Sequence, residues 1–174
     1  FMTLHDIPCL GVESASETAN VAVGKGINVI NDFFTVELAQ KIVGDYKKAD
    51  LVIANNVLAH VPDPEQMLRG IHSLLSDNGV ASIEFQSLKD LIEKLAIDTI
   101  YHEHFSYYSL TSFKKIAEFS GLKVIDVEKI STHGGSLRVY TSLSDSSNPI
   151  STRVQSILME EERYGLKDIH TYRT

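Results

Sequence analysis

Residues 49–56, ADLVIANN, contain four consecutive apolar residues from Leu51 to Ala54, followed at once by two asparagines. A continuous apolar run of this length is typical of a central parallel strand that is covered on both faces. Further along, Asp63 is placed to cap a helix that has Pro64 at its first position and apolar residues at helical spacing. This stretch therefore predicts a strand and then a helix, the repeating unit of an α/β domain.

The same unit recurs on both sides of this stretch. Short apolar runs at residues 8–13 and 27–30 predict two earlier strands, and residues 80–85 predict another central strand after a turn at 77–79. Two later segments alternate polar and apolar residues and are joined by glycines, which is typical of an antiparallel hairpin. We therefore predict a Rossmann-like α/β fold whose sheet is mostly parallel and ends in an antiparallel C-terminal hairpin, at 122–130 and 136–143.

Composition excludes several classes of function. The formal charge of −7 argues against nucleic acid as a partner, because phosphate backbones require clustered Lys and Arg. No apolar run approaches the length of a membrane span, and residues 1–6 lack the basic and apolar blocks of a signal peptide. The single cysteine, Cys9, excludes internal disulfides and fits a reducing compartment, so we expect a cytoplasmic protein without a membrane partner.

Polar and aromatic residues follow the predicted strands at the edge where ligands of open α/β sheets bind. An acid after the first strand offers two acceptors to a ribose diol, and an acid with a ring after the second strand suits an adenine. Each has a plainer interpretation, as a solvated acid or a core ring. The candidates for cofactor binding at this edge are Glu13, Asp32, Phe33, Asn55, Asn56 and His60.

Residues 101–108, YHEHFSYY, concentrate acid/base groups and aromatic rings more than any other stretch of the chain. Partly dry, ring-lined surroundings move the pKa of a His or Glu toward neutrality, where a proton acceptor works best. The segment follows a helix after the 80–85 strand, so it is predicted to form an insert over the carboxyl edge of the sheet. It is therefore the candidate catalytic segment.

The element order, together with residues 49–68 (ADLVIANNVLAHVPDPEQML), 98–110 (DTIYHEHFSYYSL) and 132–140 (THGGSLRVY), resembles the sugar C-methyltransferases. These enzymes use S-adenosylmethionine to methylate nucleotide-linked keto-deoxysugars. The resemblance implies a class I methyltransferase sheet, S-adenosylmethionine as cofactor and a small nucleotide-sugar as substrate. It also implies a role in deoxysugar biosynthesis, with Glu13 at the ribose and Asp32 and Phe33 at the adenine.

The catalytic Tyr-x-Glu-His of that family falls on Tyr101, Glu103 and His104. An imidazole near neutrality can remove a proton from the carbon beside a ketone if the enolate is stabilised. We therefore expect His104 to act as the general base and Tyr101 to hold the enolate oxygen, with Glu103 orienting the imidazole or binding a sugar hydroxyl. His102, His133 and Arg138 are candidates for the sugar-nucleotide side, and Arg138 suits a diphosphate because its donors are paired.

The resemblance also implies that two parts of the family pattern are absent: a first strand with its glycine-rich loop, and most of a C-terminal domain. We expect residues 1–145 to form a partial methyltransferase domain. Residues 146–174 then comprise a linker and the first helix of a truncated second domain. A contact within a homo-oligomer is the alternative role for that helix. A sheet without its first strand is expected to expose strand edges.

Three alternatives to C-methylation stay open at this point. The first is O- or N-methylation of a small metabolite on the same sheet. The second is a metal site at His102, Glu103 and His104, although residues two apart in an extended segment share a face while the middle one points away, so we expect no metal. The third is a catalytically inactive fragment or an assembly module.

Overall fold

The protein is described from a computed structural model that covers residue 5 and residues 7–173, so most of the 1–6 segment lies outside the described residues. The chain alternates strands and helices until its last third. The elements are β1 (Gly11–Val12), α1 (Ser16–Gly24), β2 (Val29–Ile30), α2 (Val36–Asp45), β3 (Ala49–Asn55), α3 (Pro64–Leu74), β4 (Leu75–Gln86), α4 (Leu88–Glu93), α5 (Leu110–Phe119), β5 (Leu122–Ile130), β6 (Ser136–Leu143) and α6 (Thr152–Tyr164). Single 3₁₀ turns at Leu58–His60, Ile97–Thr99, Thr132–Gly134 and Ile169–Tyr172 lie between or after them.

The strands form two sheets. β1 and β2 pair in parallel as a short two-stranded sheet, and the other four follow the order β3-β4-β6-β5. β3 and β4 are parallel, whereas β6 pairs antiparallel with both β4 and β5. The predicted C-terminal hairpin is therefore present. The parallel strands are divided between the two sheets.

β3 differs from the prediction for residues 49–56. The strand forms where predicted, but it is an edge of the four-stranded sheet and pairs only with β4 among the described residues. Leu51 and Ile53 are 49% and 53% exposed, whereas Ala54 is buried. The expectation that β3 is covered on both faces is wrong, because one edge and one face of the strand are open. This open edge fits the expectation of exposed strand edges.

The prediction of a turn at Asp77-Asn78-Gly79 is also wrong. β4 begins directly after α3, and these three residues lie inside the strand where the β3–β4 register shifts between Ala49 and Leu51. The extra residues form a bulge opposite the start of β3. Gly79 fits there because a Cβ at this position would approach the carbonyl oxygen of Ala49 to 2.8 Å.

The main core lies on one face of the four-stranded sheet. Apolar residues of β4, including Ile83 and Phe85, pack under α3 and α5 with Leu137 and Val139 of β6. α3 begins as predicted, because the Asp63 side chain accepts a hydrogen bond from the amide of Gln66 and Pro64 occupies the first turn. Burial of these side chains is the main favourable term that holds the helices on the sheet.

The smaller sheet joins this core through helices. Leu38, Ala39 and Ile42 of α2 form a second apolar cluster with Leu74 of α3. Phe34 packs against both clusters and lies against Gly70, where a Cβ would approach its ring to 2.8 Å. The two sheets are therefore connected by packing between α2 and α3 and by the ring of Phe34.

Helix α6 packs on the α/β domain through buried residues. Val154 belongs to the main core, and Glu161 is 2% exposed. The Glu161 carboxylate accepts hydrogen bonds from the amides of Leu110 and Thr111, at 2.6 and 2.8 Å, and from the Thr111 hydroxyl at 2.7 Å. A carboxylate at a helix N-terminus satisfies free N–H groups and complements the helix dipole. Glu161 therefore caps α5 from fifty residues away.

Within the described part of the chain, no helix combines the length and the apolar character needed to cross a membrane.

Candidate active site

A cavity of about 120 Å³ lies at the carboxyl end of β4. Its wall is formed by the segment after β3, the end of β4, the insert between α4 and α5, and the turn of the β5–β6 hairpin. The polar residues that line it are Asn56, His60, Gln86, Thr99, Tyr101, His104 and His133. Four separate parts of the chain thus converge at the edge where the sequence predicts the site.

His104 is held by backbone and side-chain contacts within its own insert. Its Nδ1 lies 3.2 Å from the carbonyl oxygen of Thr99, and its Nε2 lies 2.9 Å from the Tyr101 hydroxyl. A carbonyl oxygen only accepts, so Nδ1 carries the hydrogen and Nε2 presents a lone pair to the tyrosine. The imidazole is therefore fixed as the tautomer whose Nε2 can accept a proton.

A second imidazole, that of His60, lies beside His104 with ring centroids 4.7 Å apart. His60 Nδ1 lies 3.1 Å from the carbonyl oxygen of Glu103, so it donates there. Burial of the half-buried His104 ring, followed by the charge of a protonated His60, lowers the pKa of His104 below its ordinary value. The neutral, proton-accepting form of His104 is therefore favoured at neutral pH.

We expect nuclear magnetic resonance titration of the imidazole protons to give a His104 pKa below the ordinary value of about 6.5. In a His60→Asn variant the asparagine amide retains a donor for Glu103 but removes the second titrating ring. The His104 pKa should then rise toward its ordinary value, because one of the three causes that lower it, burial, His60 and His133, is gone. A His104 pKa at or above the ordinary value in the unsubstituted protein would contradict this electrostatic account.

No hydrogen bond or ion pair between described residues joins Glu103 or His102 to the imidazole of His104, although the Glu103 charge acts to raise the pKa of that ring. The Glu103 carboxylate is exposed and lies 3.7 Å from His102 Nε2, which is itself almost fully exposed. The insert turns at this point, because the amide of His104 donates to the carbonyl of Tyr101 and the amide of Phe105 donates to Ala59. The Thr99 carbonyl, and not Glu103, orients the His104 ring.

Arg138 does not line the cavity. It pairs with Glu84 at 3.0 Å on the other face of the sheet from the main core, and Glu84 also accepts from Thr132 and Asn56. Burial by itself raises the pKa of the Glu84 carboxyl, but the bonds from Arg138, Thr132 and Asn56 outweigh it and hold that pKa below its ordinary value. Arg138 is therefore engaged by a buried acid, and that acid also holds Asn56 and Thr132 at the cavity rim.

His133 lies in the hairpin turn, in a left-handed conformation with φ of 52°. Two glycines with positive φ follow it, and Lys94 donates to the carbonyl of Gly134 at 2.6 Å. A Cβ on Gly135 would approach the Asp90 side chain to 2.8 Å. The turn is thus pressed against helix α4 and its C-terminal end, which places His133 on the cavity wall.

The adenosine-side candidates lie at the carboxyl ends of β1 and β2. The Glu13 Oε1 accepts from the amide of Ala15, and Asp32 accepts from the amide of Phe33. Asn31, which the sequence analysis did not select, donates to the carbonyls of Glu13 and Ser14 and so ties the two strand ends together. Phe33 is 72% exposed whereas Phe34 is in the core, which leaves the Phe33 ring available for stacking.

Asn55 and Asn56 end β3 at the rim of the cavity. Asn55 is exposed and pairs in register with Glu84, and Asn56 has a left-handed φ of 55°. The Asn56 amide donates to the carbonyl of Glu84, which turns the chain across the end of β4. Asn56 lines the cavity together with His60, whereas Asn55 does not.

Sequence reasoning missed Thr99, Asn31 and Gln86. Thr99 acts through its backbone carbonyl, and the Asn31 side chain bonds carbonyls 17 and 18 residues away, and neither kind of contact has a sequence signature. Gln86 is the last residue of β4, and its position at a strand's carboxyl end was the available signal. Over residue 5 and residues 7–173, no three side chains of His, Cys, Asp or Glu group into a metal site.

The fold is that of solved methyltransferases. The PH0226 protein of Pyrococcus horikoshii OT3 matches 82% of this chain and 74% of its own with a TM-score of 0.63 at 15% identity. Magnesium protoporphyrin IX methyltransferase of Synechocystis PCC 6803, solved with bound SAH, matches 78% of this chain and 64% of its own with a TM-score of 0.56 at 15% identity. These likenesses show that the chain has the α/β fold seen in solved methyltransferases, and the predicted fold class is confirmed.

The family follows from sequence. Residues 4–127 match the methyltransferase domain family, and residues 131–174 match the C-methyltransferase C-terminal domain. C-methyltransferase NovU of Streptomyces niveus is 35% identical over 164 residues, which are 94% of this chain and 39% of that relative. The chain belongs to the methyltransferase domain family. It spans about two fifths of the length of the curated relative.

Proposed function

We propose that the protein transfers a methyl group from S-adenosylmethionine to the carbon beside the ketone of a nucleotide-linked keto-deoxysugar, through an enolate. The observation that supports this most directly is the His104 imidazole, whose unprotonated Nε2 lies in the cavity next to the Tyr101 hydroxyl. A base and a hydroxyl donor in contact are the two groups that enolate formation requires. The proposal extends to a cytoplasmic location and a role in deoxysugar biosynthesis.

The side chains at the ends of β1, β2 and β3 fit the cofactor of this family by their chemistry. Glu13 uses one oxygen for Ala15, and its second oxygen would accept from a ribose hydroxyl. Asp32 and Phe33 would hold the amino group and the face of an adenine. Asn55, Asn56 and His60 would lie beside the methionine portion. When bound, S-adenosylmethionine supplies a methyl group made electrophilic by the positive sulfur.

His104 is proposed to remove the proton from the carbon beside the ketone. The Thr99 carbonyl keeps the hydrogen on Nδ1, so Nε2 is the nitrogen that receives the proton. Burial and the neighbouring His60 lower the pKa of His104, so the ring is unprotonated when it meets the substrate. The Thr99 carbonyl then stabilises the imidazolium, because it accepts from the Nδ1 hydrogen in both forms.

Tyr101 is proposed to hold the enolate oxygen. In the structure its hydroxyl donates to His104 Nε2 and so covers the lone pair of the base. A hydroxyl has one hydrogen and can rotate it to another acceptor. A ketone oxygen at the tyrosine would take this hydrogen, which uncovers Nε2 and places a donor where negative charge develops. Ketone binding and release of the base are thereby coupled.

The remaining substrate candidates differ in their availability. His133 lies on the cavity wall and is proposed to contact the sugar, while the exposed Glu103 and His102 would bind groups that extend outward. Arg138 would reach a diphosphate only by leaving Glu84, to which its guanidinium donates. We further propose residues 1–145 as the partial methyltransferase domain and 146–174 as the start of the second; the two family matches meet earlier, between residues 127 and 131.

The test of this function is the fate of the hydrogen on the carbon beside the ketone. A nucleotide-linked keto-deoxysugar that carries deuterium there should lose the label as it gains one methyl group, measured by mass spectrometry of the product. O- or N-methylation would add the same mass of methyl and keep the deuterium, and that result would contradict the proposal. Incubation with heat-inactivated protein measures the label lost by spontaneous enolisation.

A further inference from the structure

Gln86 occupies the end of β4 and forms part of the cavity wall. Its side-chain Nε2 donates to the carbonyl oxygen of His133 at 3.1 Å. This bond joins the last residue of the central strand to the hairpin turn on the opposite side of the cavity. The amide therefore has a fixed position between two elements that shape the site.

The orientation of this amide follows from its partner. The His133 carbonyl can only accept a hydrogen bond, so the NH₂ group must face it and Oε1 must face away. Oε1 is buried and has no hydrogen-bond partner among the residues that the structure describes. A buried acceptor without a donor costs free energy comparable to a lost hydrogen bond, and Gln86 forms part of the cavity wall, so a molecule bound there is an available source of the donor.

The donors around the cavity are directed elsewhere. His60 Nδ1 donates to the Glu103 carbonyl, and His104 Nδ1 donates to the Thr99 carbonyl. The Tyr101 hydroxyl donates to His104. No described residue, including His133 and Asn56 on the same wall, donates to Gln86 Oε1, so this acceptor is left for a molecule that enters the cavity.

The surroundings favour a neutral donor. Three imidazoles line the cavity, and the nearest buried acid in the strand, Glu84, is already paired with Arg138. An ammonium group would find no free carboxylate among the residues that line the cavity, whereas a hydroxyl can donate to an amide oxygen without needing one. We propose that Gln86 is a specificity-determining residue whose Oε1 accepts a hydrogen bond from a ring hydroxyl of the substrate. This inference rests on the proposed function for the identity of the substrate as a sugar.

The test compares probes that differ by one hydroxyl. Calorimetry would measure the binding of a nucleotide-linked keto-6-deoxyhexose and of its counterparts that lack the hydroxyl at C2 or at C3. The unsubstituted protein should bind one of the deoxy probes about tenfold to one-hundredfold more weakly, because that probe leaves the acceptor unpaired. In Gln86→Leu this difference should fall to within about threefold, since no acceptor remains.

The Gln86→Glu variant distinguishes recognition of the substrate hydroxyl by Gln86 from the support that Gln86 gives to the hairpin turn. Glutamate keeps an acceptor but loses the donor to the His133 carbonyl, as leucine also does. Retained discrimination in Gln86→Glu, together with its loss in Gln86→Leu, assigns the effect to the acceptor. Equal loss in both variants, or equal binding of all probes by the unsubstituted protein, overturns the proposal.

Methyl transfer to the same probes distinguishes this inference from the proposed function. One outcome is that the difference in binding between probes depends on Gln86 while no probe is methylated. Gln86 is then still a hydroxyl acceptor, but the C-methylation proposal is overturned. A second outcome is methyl transfer in which the ratio of kcat/KM values for two probes is the same in Gln86→Leu as in the unsubstituted protein. That outcome supports C-methylation and overturns the role of Gln86. Failure of the unsubstituted protein to bind any of the probes overturns both.

Discussion

Replacing His104 by alanine in the full-length protein is expected to lower kcat for methyl transfer by about 10²- to 10⁴-fold, which is the usual contribution of a general base. The variant retains the cavity and the Tyr101 hydroxyl but has no group to receive the substrate proton. KM should change little, because the ring that is removed acts on the proton in the transition state and not on the bound sugar. The measurement is steady-state methyl transfer with labelled cofactor.

The control for this variant is His170→Ala, which removes an exposed imidazole from the 3₁₀ turn at Ile169–Tyr172. It should keep the activity of the unsubstituted protein. Circular dichroism and thermal melting establish that both variants are folded. Added imidazole should restore part of the rate in His104→Ala, because it supplies the missing base in solution. Unchanged kcat in a folded His104→Ala protein would remove His104 from the role of base.

Glu161→Gln is expected to destabilise the chain by about 3 kcal/mol, because three donors converge on a buried carboxylate and each bond to a charged group contributes about 1.5–3 kcal/mol. Glutamine retains one acceptor oxygen and places an NH₂ group against the remaining donors of α5. The free energy of unfolding is measured by urea denaturation.

Glu162→Gln is the matched control, because it is the same substitution at the next residue, which is exposed. Its effect should stay within about 0.5 kcal/mol, the usual range for a surface change. A similar free energy of unfolding for both variants would mean that the Glu161 contacts contribute nothing net. A selective loss in Glu161→Gln would establish that α6 stabilises the segment that follows the catalytic insert.

The sequence predicted those parts of the fold that depend on local patterns. The α3 cap at Asp63 and the C-terminal hairpin follow from residue types at fixed spacings, and both are present. The prediction that β3 is covered on both faces was wrong. An apolar run such as LVIA shows that a strand can be buried, but it does not show which other elements cover it. The bulge at 77–79 was read as a turn because asparagine and glycine favour both.

The sequence likewise predicted only the local contacts of the candidate site. Tyr101 and His104 are three residues apart in one turn, so their contact could be expected from the sequence. Other contacts of the candidate residues are not local: Arg138 is paired with an acid 54 residues away, and Gln86 bonds a carbonyl 47 residues away. Such pairings depend on the register of strands, which residue types alone do not determine.

The separation of the two sheets has a mechanical consequence. The groups proposed for the nucleoside follow the strands of the two-stranded sheet, whereas those proposed for proton removal lie in the insert at the end of the four-stranded sheet, and no strand pairing links the two sheets among the described residues. Their spacing is maintained by side chains interlocked between α2 and α3 and by the ring of Phe34. Among the described residues, helix packing and the Phe34 ring, and not strand pairing, therefore hold the proposed nucleoside groups relative to the cavity.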